Sequence, residues 1–175
     1  MDIFNLLKFI TDTFNRVQIP YMLGGSMAMN CYTVSRASQD IDIVVQLFEK
    51  DVDILIKHLD NFYYNRITIS EEILRGGMFN IIDLTTGFKV DLILLKNSNY
   101  DKQAFERRNL NADFGFDIHV TSLEDLIIAK IRWIQQLYSD RQANDIRMLI
   151  LNNESDLEYI KKWCAELKLN TYNLI

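Results

Sequence analysis

From Asp40 to Val45 the chain reads Asp-Ile-Asp-Ile-Val-Val, and the side-chain period of a strand commits this stretch to two unlike faces. Asp40 and Asp42 point one way, while Ile41, Ile43 and Val45 point the other. Two carboxylates on one face repel each other unless a cation joins them. Hard oxygen ligands at this spacing suit Mg²⁺, which binds through one or two carboxylates together with substrate phosphates. Upstream, the short apolar run Tyr21-Met22-Leu23 enters Gly24-Gly25-Ser26, where missing Cβ atoms let backbone N–H groups approach an anion and a following helix N-terminus favours it. Downstream, Phe88 to Leu95 repeats the alternation with Lys89 and Asp91 on one face, which makes Asp91 the candidate third acid.

Composition narrows the chemistry. With 175 residues, 49% of them hydrophobic, the chain can bury a real core and reads as one unit spanning 1–175, an α/β part over 1–120 and helices over 121–175. Nineteen basic against twenty-four acidic residues give a net charge of −5, so nucleic acid would meet only local basic clusters. Cys31 and Cys164 lack the paired spacing of a zinc or redox motif and read as reduced core residues. Only His58 and His119 are present, which poorly supplies a Cys/His metal site or a histidine-centred triad. The first residues lack a basic n-region and no apolar run approaches membrane-spanning length, so the expectation is a cytoplasmic protein without a membrane partner.

Helical spacing of Ile3, Leu6, Leu7, Ile10, Phe14 and Val17 predicts a first amphipathic helix ending before Pro20. A short helix from Ser26 to about Thr33 follows, and Arg36 and Ser38 lie in the polar loop before the acidic strand. The pattern then predicts a helix over 49–59, a strand over 62–69, and one helical turn from Ser70 ended by Gly76-Gly77. Strands over 78–84 and 88–95 are joined by Thr85-Thr86-Gly87, a hairpin signal that delivers Asp91. A helix over 102–108 carries the basic pair Arg107-Arg108, and 114–120 reads as a last strand with His119 on its polar face. Ser122 and Asp125 form a helix-starting cap before the stripe Leu123, Leu126, Ile127, Ile131, Ile134 and Leu137, within which Lys130 falls. An inward ammonium costs free energy unless an anion meets it. A helix over 140–152 places Arg141 and Asp145 four apart, where a local ion pair is the plain reading. Ser155 and Glu158 suggest a capping box for a final helix.

The ordered combination of Gly24-Gly25-Ser26, Asp40/Asp42 and Asp91 resembles the nucleotidyltransferase superfamily of the polymerase-beta type. Glu124-Asp125-Leu126-Ile127-Ile128-Ala129-Lys130 and Arg141-Gln142-Ala143-Asn144-Asp145-Ile146 further resemble the small bacterial branch of AbiEii-type toxins. The resemblance implies an α+β fold: a nucleotidyltransferase-like mixed β-sheet flanked by helices, with a C-terminal helical segment. It implies that Asp40, Asp42 and Asp91 carry two Mg²⁺ or Mn²⁺ ions and the catalysis. Gly24, Gly25, Ser26, Arg36, Ser38 and Lys130 would contact the NTP, and Asp145 would support the site.

The implied reaction moves NMP from an NTP to a hydroxyl of RNA, such as a tRNA 3′ end, or of a protein, with pyrophosphate leaving. A cognate antitoxin is an implied partner. Two other classes stand beside this reading. One is a nucleotide-binding regulator without turnover that acts through a partner protein; the other is a metal-dependent hydrolase that presents water with the same acids.

Overall fold

The computed structural model describes residues 2–34, 38 and 40–175. Their strands form one mixed sheet, in the spatial order β3-β4-β5-β2-β1-β7-β6. In chain order the strands are β1 (Tyr21–Leu23), β2 (Asp40–Val45), β3 (Phe62–Tyr63), β4 (Met78–Asp83), β5 (Lys89–Leu94), β6 (Asn109–Asn111) and β7 (Ile118–Val120). The helices are α1 (Ile3–Arg16), α2 (Gly25–Met29), α3 (Glu49–Ile56), α4 (Arg66–Arg75), α5 (Asn99–Glu106), α6 (Leu123–Ile134), α7 (Asp140–Leu151) and α8 (Leu157–Glu166). This is the α+β, mixed-sheet architecture that the sequence pattern implies.

At the centre β2 and β5 run parallel, while β1 and β4 flank them antiparallel. Ile41, Ile43, Val90 and Leu92 are fully buried on one face, each worth about 1.5–3 kcal/mol on transfer from water. Tyr21 stands in register with Val45 and therefore shares that face. Phe14 of α1 packs on Tyr21 with ring centroids 5.6 Å apart, so the amphipathic first helix covers the apolar side of the sheet. The opposite face keeps the acids, and α6 stands over it.

Asp83 fixes the hairpin that carries Asp91. Its fully buried carboxylate accepts from the backbone N–H groups of Thr85 and Thr86, the Thr86 hydroxyl and the Asn61 amide. Asp125 plays the same part among the helices, accepting from the Ser122 hydroxyl (2.7 Å), the Tyr159 hydroxyl (2.9 Å) and Arg107 Nε (3.1 Å). It thereby joins the end of α5 to α6 and α8.

Several boundaries differ from the sequence reading, each for a local reason. The strand expected over 62–69 stops at Tyr63, because Asn65 caps α4 by accepting from the N–H groups of Ile67 and Thr68. That helix swallows the expected turn at Ser70 and ends, as expected, at left-handed Gly76. The strand expected over 114–120 contracts to Ile118–Val120 and pairs with β6, a strand without periodicity to announce it. Asp156, not Ser155, caps α8 by accepting from Tyr159 N–H. Leu137 lies beyond α6 and is largely exposed.

The Arg107-Arg108 pair lies at the surface, with Arg107 exposed and Arg108 partly so, but both guanidinium groups are engaged. Arg107 reaches Glu124 (2.8 Å) and Asp125, and the Arg108 guanidinium stacks over Phe105 at 4.3 Å. Cys31 and Cys164 are free thiols, both pushed up to about 11 by burial. No helix among the described residues is long and apolar enough to cross a membrane.

Replacing Asp83 by Ala removes a buried acceptor from four part-buried hydrogen bonds at the hairpin. Urea unfolding should show a loss of about 2–3 kcal/mol. A variant as stable as the parent would contradict this role.

Candidate active site

Parallel pairing of β2 with β5 places Asp42 beside Asp91 and Asp40 beside Lys89, and antiparallel β4 sets Asn80 opposite Asp91. Adjacent strands lie about 4.8 Å apart, so the carboxylates expected to cooperate are brought onto neighbouring positions of one face. Above them is a cleft of about 760 Å³ whose lining includes Gly25, Ser26, Ser38 and Lys130. Arg36 falls outside the described residues. Gly25, Ser26, Ser38, Asp40, Asp42, Asp91 and Lys130 line this cleft, whereas Gly24 and Asp145 do not line it but bond to Asp42 and Lys130, which do.

Gly25 is the point of closest approach. At φ +59° it adopts a left-handed conformation, and a Cβ there would stand 1.8 Å from Asp42 Oδ2. Gly24 instead extends the sheet, its N–H donating to the Asp42 carbonyl at 2.8 Å. The following helix is short, Gly25–Met29, and gives way to tighter turns before reaching the expected Thr33. Ser38 donates its hydroxyl to the Asp40 carbonyl at 2.8 Å, bracing the entry to β2.

Burial raises the Asp42 carboxyl above the ordinary aspartate range, and the negative charges of Asp91 and Asp40 add to it, while Lys89 and Lys130 oppose them. Lys89 supplies the nearest cation, 2.8 Å from Asp91 Oδ2 and 3.9 Å from Asp40 Oδ1. The other oxygen of Asp91 is buried without a hydrogen-bond partner among the described residues. No three acidic, cysteine or histidine side chains among the described residues close around one point as a metal cage. Hard oxygens, an unmatched buried oxygen and mutual repulsion fit a divalent cation that takes part of its coordination from phosphate.

Lys130 projects from α6 into the cleft wall and meets Asp145 of α7 at 2.8 Å, with both residues about 5% exposed or less. Asp145 thus pairs across two helices instead of along its own helix with Arg141, whose side chain lines the cleft. Trp133 was not singled out by the sequence reading, yet it is 56% exposed and lines the same space. Its signal was helical phase: Leu126, Ala129, Lys130 and Trp133 fall at i, i+3, i+4 and i+7.

His119 is elsewhere. It packs edge-on against Tyr21, burial lowers its pKa, and it does not line the cleft that holds the acids. Trp163 packs against Tyr100 at 5.1 Å as a core residue.

The fold has structural counterparts. Antibiotic-resistance factor ANT(2'')-Ia superposes with a TM-score of 0.63 at 13% identity, covering 94% of this chain and 90% of that one. In its complex with adenylyl-2''-tobramycin the TM-score is 0.64 at 14% identity, covering 94% and 96%. The fold is nucleotidyltransferase-like. Lincomycin-bound LnuA, a lincosamide antibiotic adenylyltransferase, superposes at TM-score 0.53 and 13% identity over 85% of this chain and 97% of that one. No protein-family profile matches the chain, and no curated protein matches it by sequence.

Because the folded Asp42 pKa is raised, its protonated form is favoured by folding. That contribution is present below the unfolded pKa and is lost as pH rises through the folded one. With a chelator at neutral pH, Asp42→Asn should therefore melt above the parent, and the gap should close on acidification. Added Mg²⁺ should stabilise the parent and not the variant; equal melting at every pH would remove the strain assigned to this carboxylate. Lys130→Met should cost on the order of 3 kcal/mol in denaturant unfolding, because it removes one partner of a buried ion pair. Adding Asp145→Leu should restore most of it, and a double variant as weak as the single would show that the ion pair is not the cause.

Proposed function

We propose that the chain transfers a nucleoside monophosphate from an NTP to a hydroxyl acceptor, with pyrophosphate as the leaving group and Mg²⁺ or Mn²⁺ required. One observation carries the reading: Asp40, Asp42 and Asp91 share a face under the Gly24-Gly25-Ser26 turn, opposite the cationic wall of Lys130 and Arg141. Asp40 and Asp42 would hold two divalent ions, and Asp91 would share the one beside the acceptor. Bound ions supply charge neutralisation along the triphosphate and a lowered pKa for the attacking hydroxyl.

The chain's own groups do the rest. Gly25 leaves the turn without a side chain, so the Asp42 carboxylate stands directly against the turn whose N–H groups would meet a phosphate. Lys130, with Asp145 fixing its ammonium, and Arg141 face the negative charge that moves onto pyrophosphate. Asp91 presents its unmatched oxygen, Oδ1, as the atom toward which the acceptor proton moves. Ser38 and the preceding loop, including Arg36, would cover the triphosphate.

The fold match to ANT(2'')-Ia extends over 94% of this chain, and it supports reading the sheet and the C-terminal helices as opposite walls of one nucleotide cleft. The segments resembling AbiEii-type toxins supply Lys130, Arg141 and Asp145 to one wall, and a cognate antitoxin is part of this proposal. Internal pairing of Arg107 and stacking of Arg108 speak against the basic route by which RNA was expected to arrive.

Incubation with each of four NTPs labelled at the α-phosphorus, Mg²⁺, and total RNA, protein or small-molecule extract should give a labelled acceptor and free pyrophosphate. Asp42→Asn should lower transfer on the order of a thousandfold, the scale of several kcal/mol of lost charge stabilisation. Phosphate release in place of pyrophosphate would favour a hydrolase. Metal-dependent NTP binding without either product would favour the regulator.

A further inference from the structure

Side chains on the cleft face are ordered by rung. Asp40 and Lys89 form one rung across β2 and β5, and Asp42, Asp91 and Asn80 form the next across β2, β5 and β4. The following rung spans four strands and is wholly apolar: Met22, Val44, Ile93 and Met78 stand in mutual register. Successive rungs on one face are about 7 Å apart along a strand. Charge therefore ends abruptly, one rung beyond the third acid.

That apolar rung is the floor of a second cavity of about 400 Å³, opening from the first and sharing Gly25, Met78, Ile93, Ala129 and Trp133 with it. Tyr100 and Ala104 of α5 form its far wall, and exposed Trp133 of α6 stands at the junction. Its volume lies in the ~300–1,000 Å³ range of small-molecule sites. The carboxylates bordering it are already engaged: Asp101 with Arg132 at 2.7 Å, and Asp125 with Arg107, Ser122 and Tyr159. A polycation would find no unmatched acid there, and the cations on its lining, exposed Lys96 and Asp101-paired Arg132, are too few to make a phosphate track for a polynucleotide.

We infer that this second cavity is the acceptor subsite, and that it takes a small, neutral, ring-bearing alcohol whose ring lies on Trp133 and whose hydroxyl reaches back toward Asp91. The assignment rests on the nucleotidyl-transfer reading and gives its acceptor a chemical class. The alcohol oxygen attacks the α-phosphorus of the NTP, the bond to the β-phosphate oxygen breaks, pyrophosphate departs with that electron pair, and the alcohol proton passes to Asp91. No oxidant or further reactant is needed. Trp133 is then the specificity-determining residue. An indole face attracts a stacked ring beyond the area it buries.

The test uses benzyl alcohol and phenyl β-glucoside as probes against the full chain, followed by backbone and indole N–H shifts. Saturable shifts should centre on Trp133, Ile93 and Ala104. Trp133→Ala, an exposed position, should weaken both probes about tenfold, and Ala104→Leu, which fills the cavity, should do the same. A thermal melt confirms that each variant folds. Absence of saturable shifts for both probes, or unchanged binding in Trp133→Ala, would overturn the inference. So would transfer of label from an α-labelled NTP to a short RNA in preference to phenyl β-glucoside. NTP binding with Mn²⁺ is titrated in parallel. Its loss, with probe binding intact, would strike the nucleotidyl-transfer reading and leave the cavity assignment standing.

Discussion

Everything in this structure depends on holding carboxylates where they repel one another. Asp42 and Asp91 are register neighbours in the parallel β2–β5 pair, and burial compounds their mutual repulsion. The opposite face of those two strands supplies the compensation, since Ile41, Ile43, Val90 and Leu92 are wholly removed from water under α1. One pair of strands thus carries both the strongest packing and the least comfortable charges. Lys89 moderates the strain from within, its ammonium standing between Asp91 and Asp40.

The helical wall solves a similar problem differently. Lys130 and Asp145 are both almost fully buried, and their ion pair fixes α6 against α7 directly beside the cleft. A buried pair of this kind is weak evidence for stability, because two charges must leave water to form it. Its position on the cleft wall gives it another use: an ammonium held rigid there needs no reordering when an anion arrives. Asp125 gives the neighbouring turn the same rigidity through three hydrogen-bond donors.

Much of this was legible in the sequence because strand alternation is a local rule. Asp-Ile-Asp-Ile-Val-Val needs no tertiary information to declare its faces, and the Thr85-Thr86-Gly87 turn declares the hairpin that brings Asp91. The helix stripe and the Ser122 cap were equally local. What failed was decided at a distance or by a single competing cap. Asn65 captured a stretch whose β-branched composition argued for strand, and β6 exists only because β7 offers it an edge. Arg107 and Arg108 look like a surface cluster until α6 and α8 bring Glu124, Asp125 and Tyr159 against Arg107. Trp133 escaped because an apolar residue in an apolar helix is expected to face inward; only the cleft shows that this helix has a third side.

The contact between Gly25 and Asp42 has a consequence for how the gene can vary. The carboxylate fills the space that any Cβ at position 25 would need, whereas a Cβ at Gly24 would meet only ordinary contacts, at 3.7 Å and beyond, in extended backbone. Two adjacent glycine codons therefore lie under unlike selection. One tolerates replacement by a small side chain, while the other is held twice over, by the aspartate that fills its Cβ space and by a left-handed backbone that would strain a side chain even if the aspartate were lost.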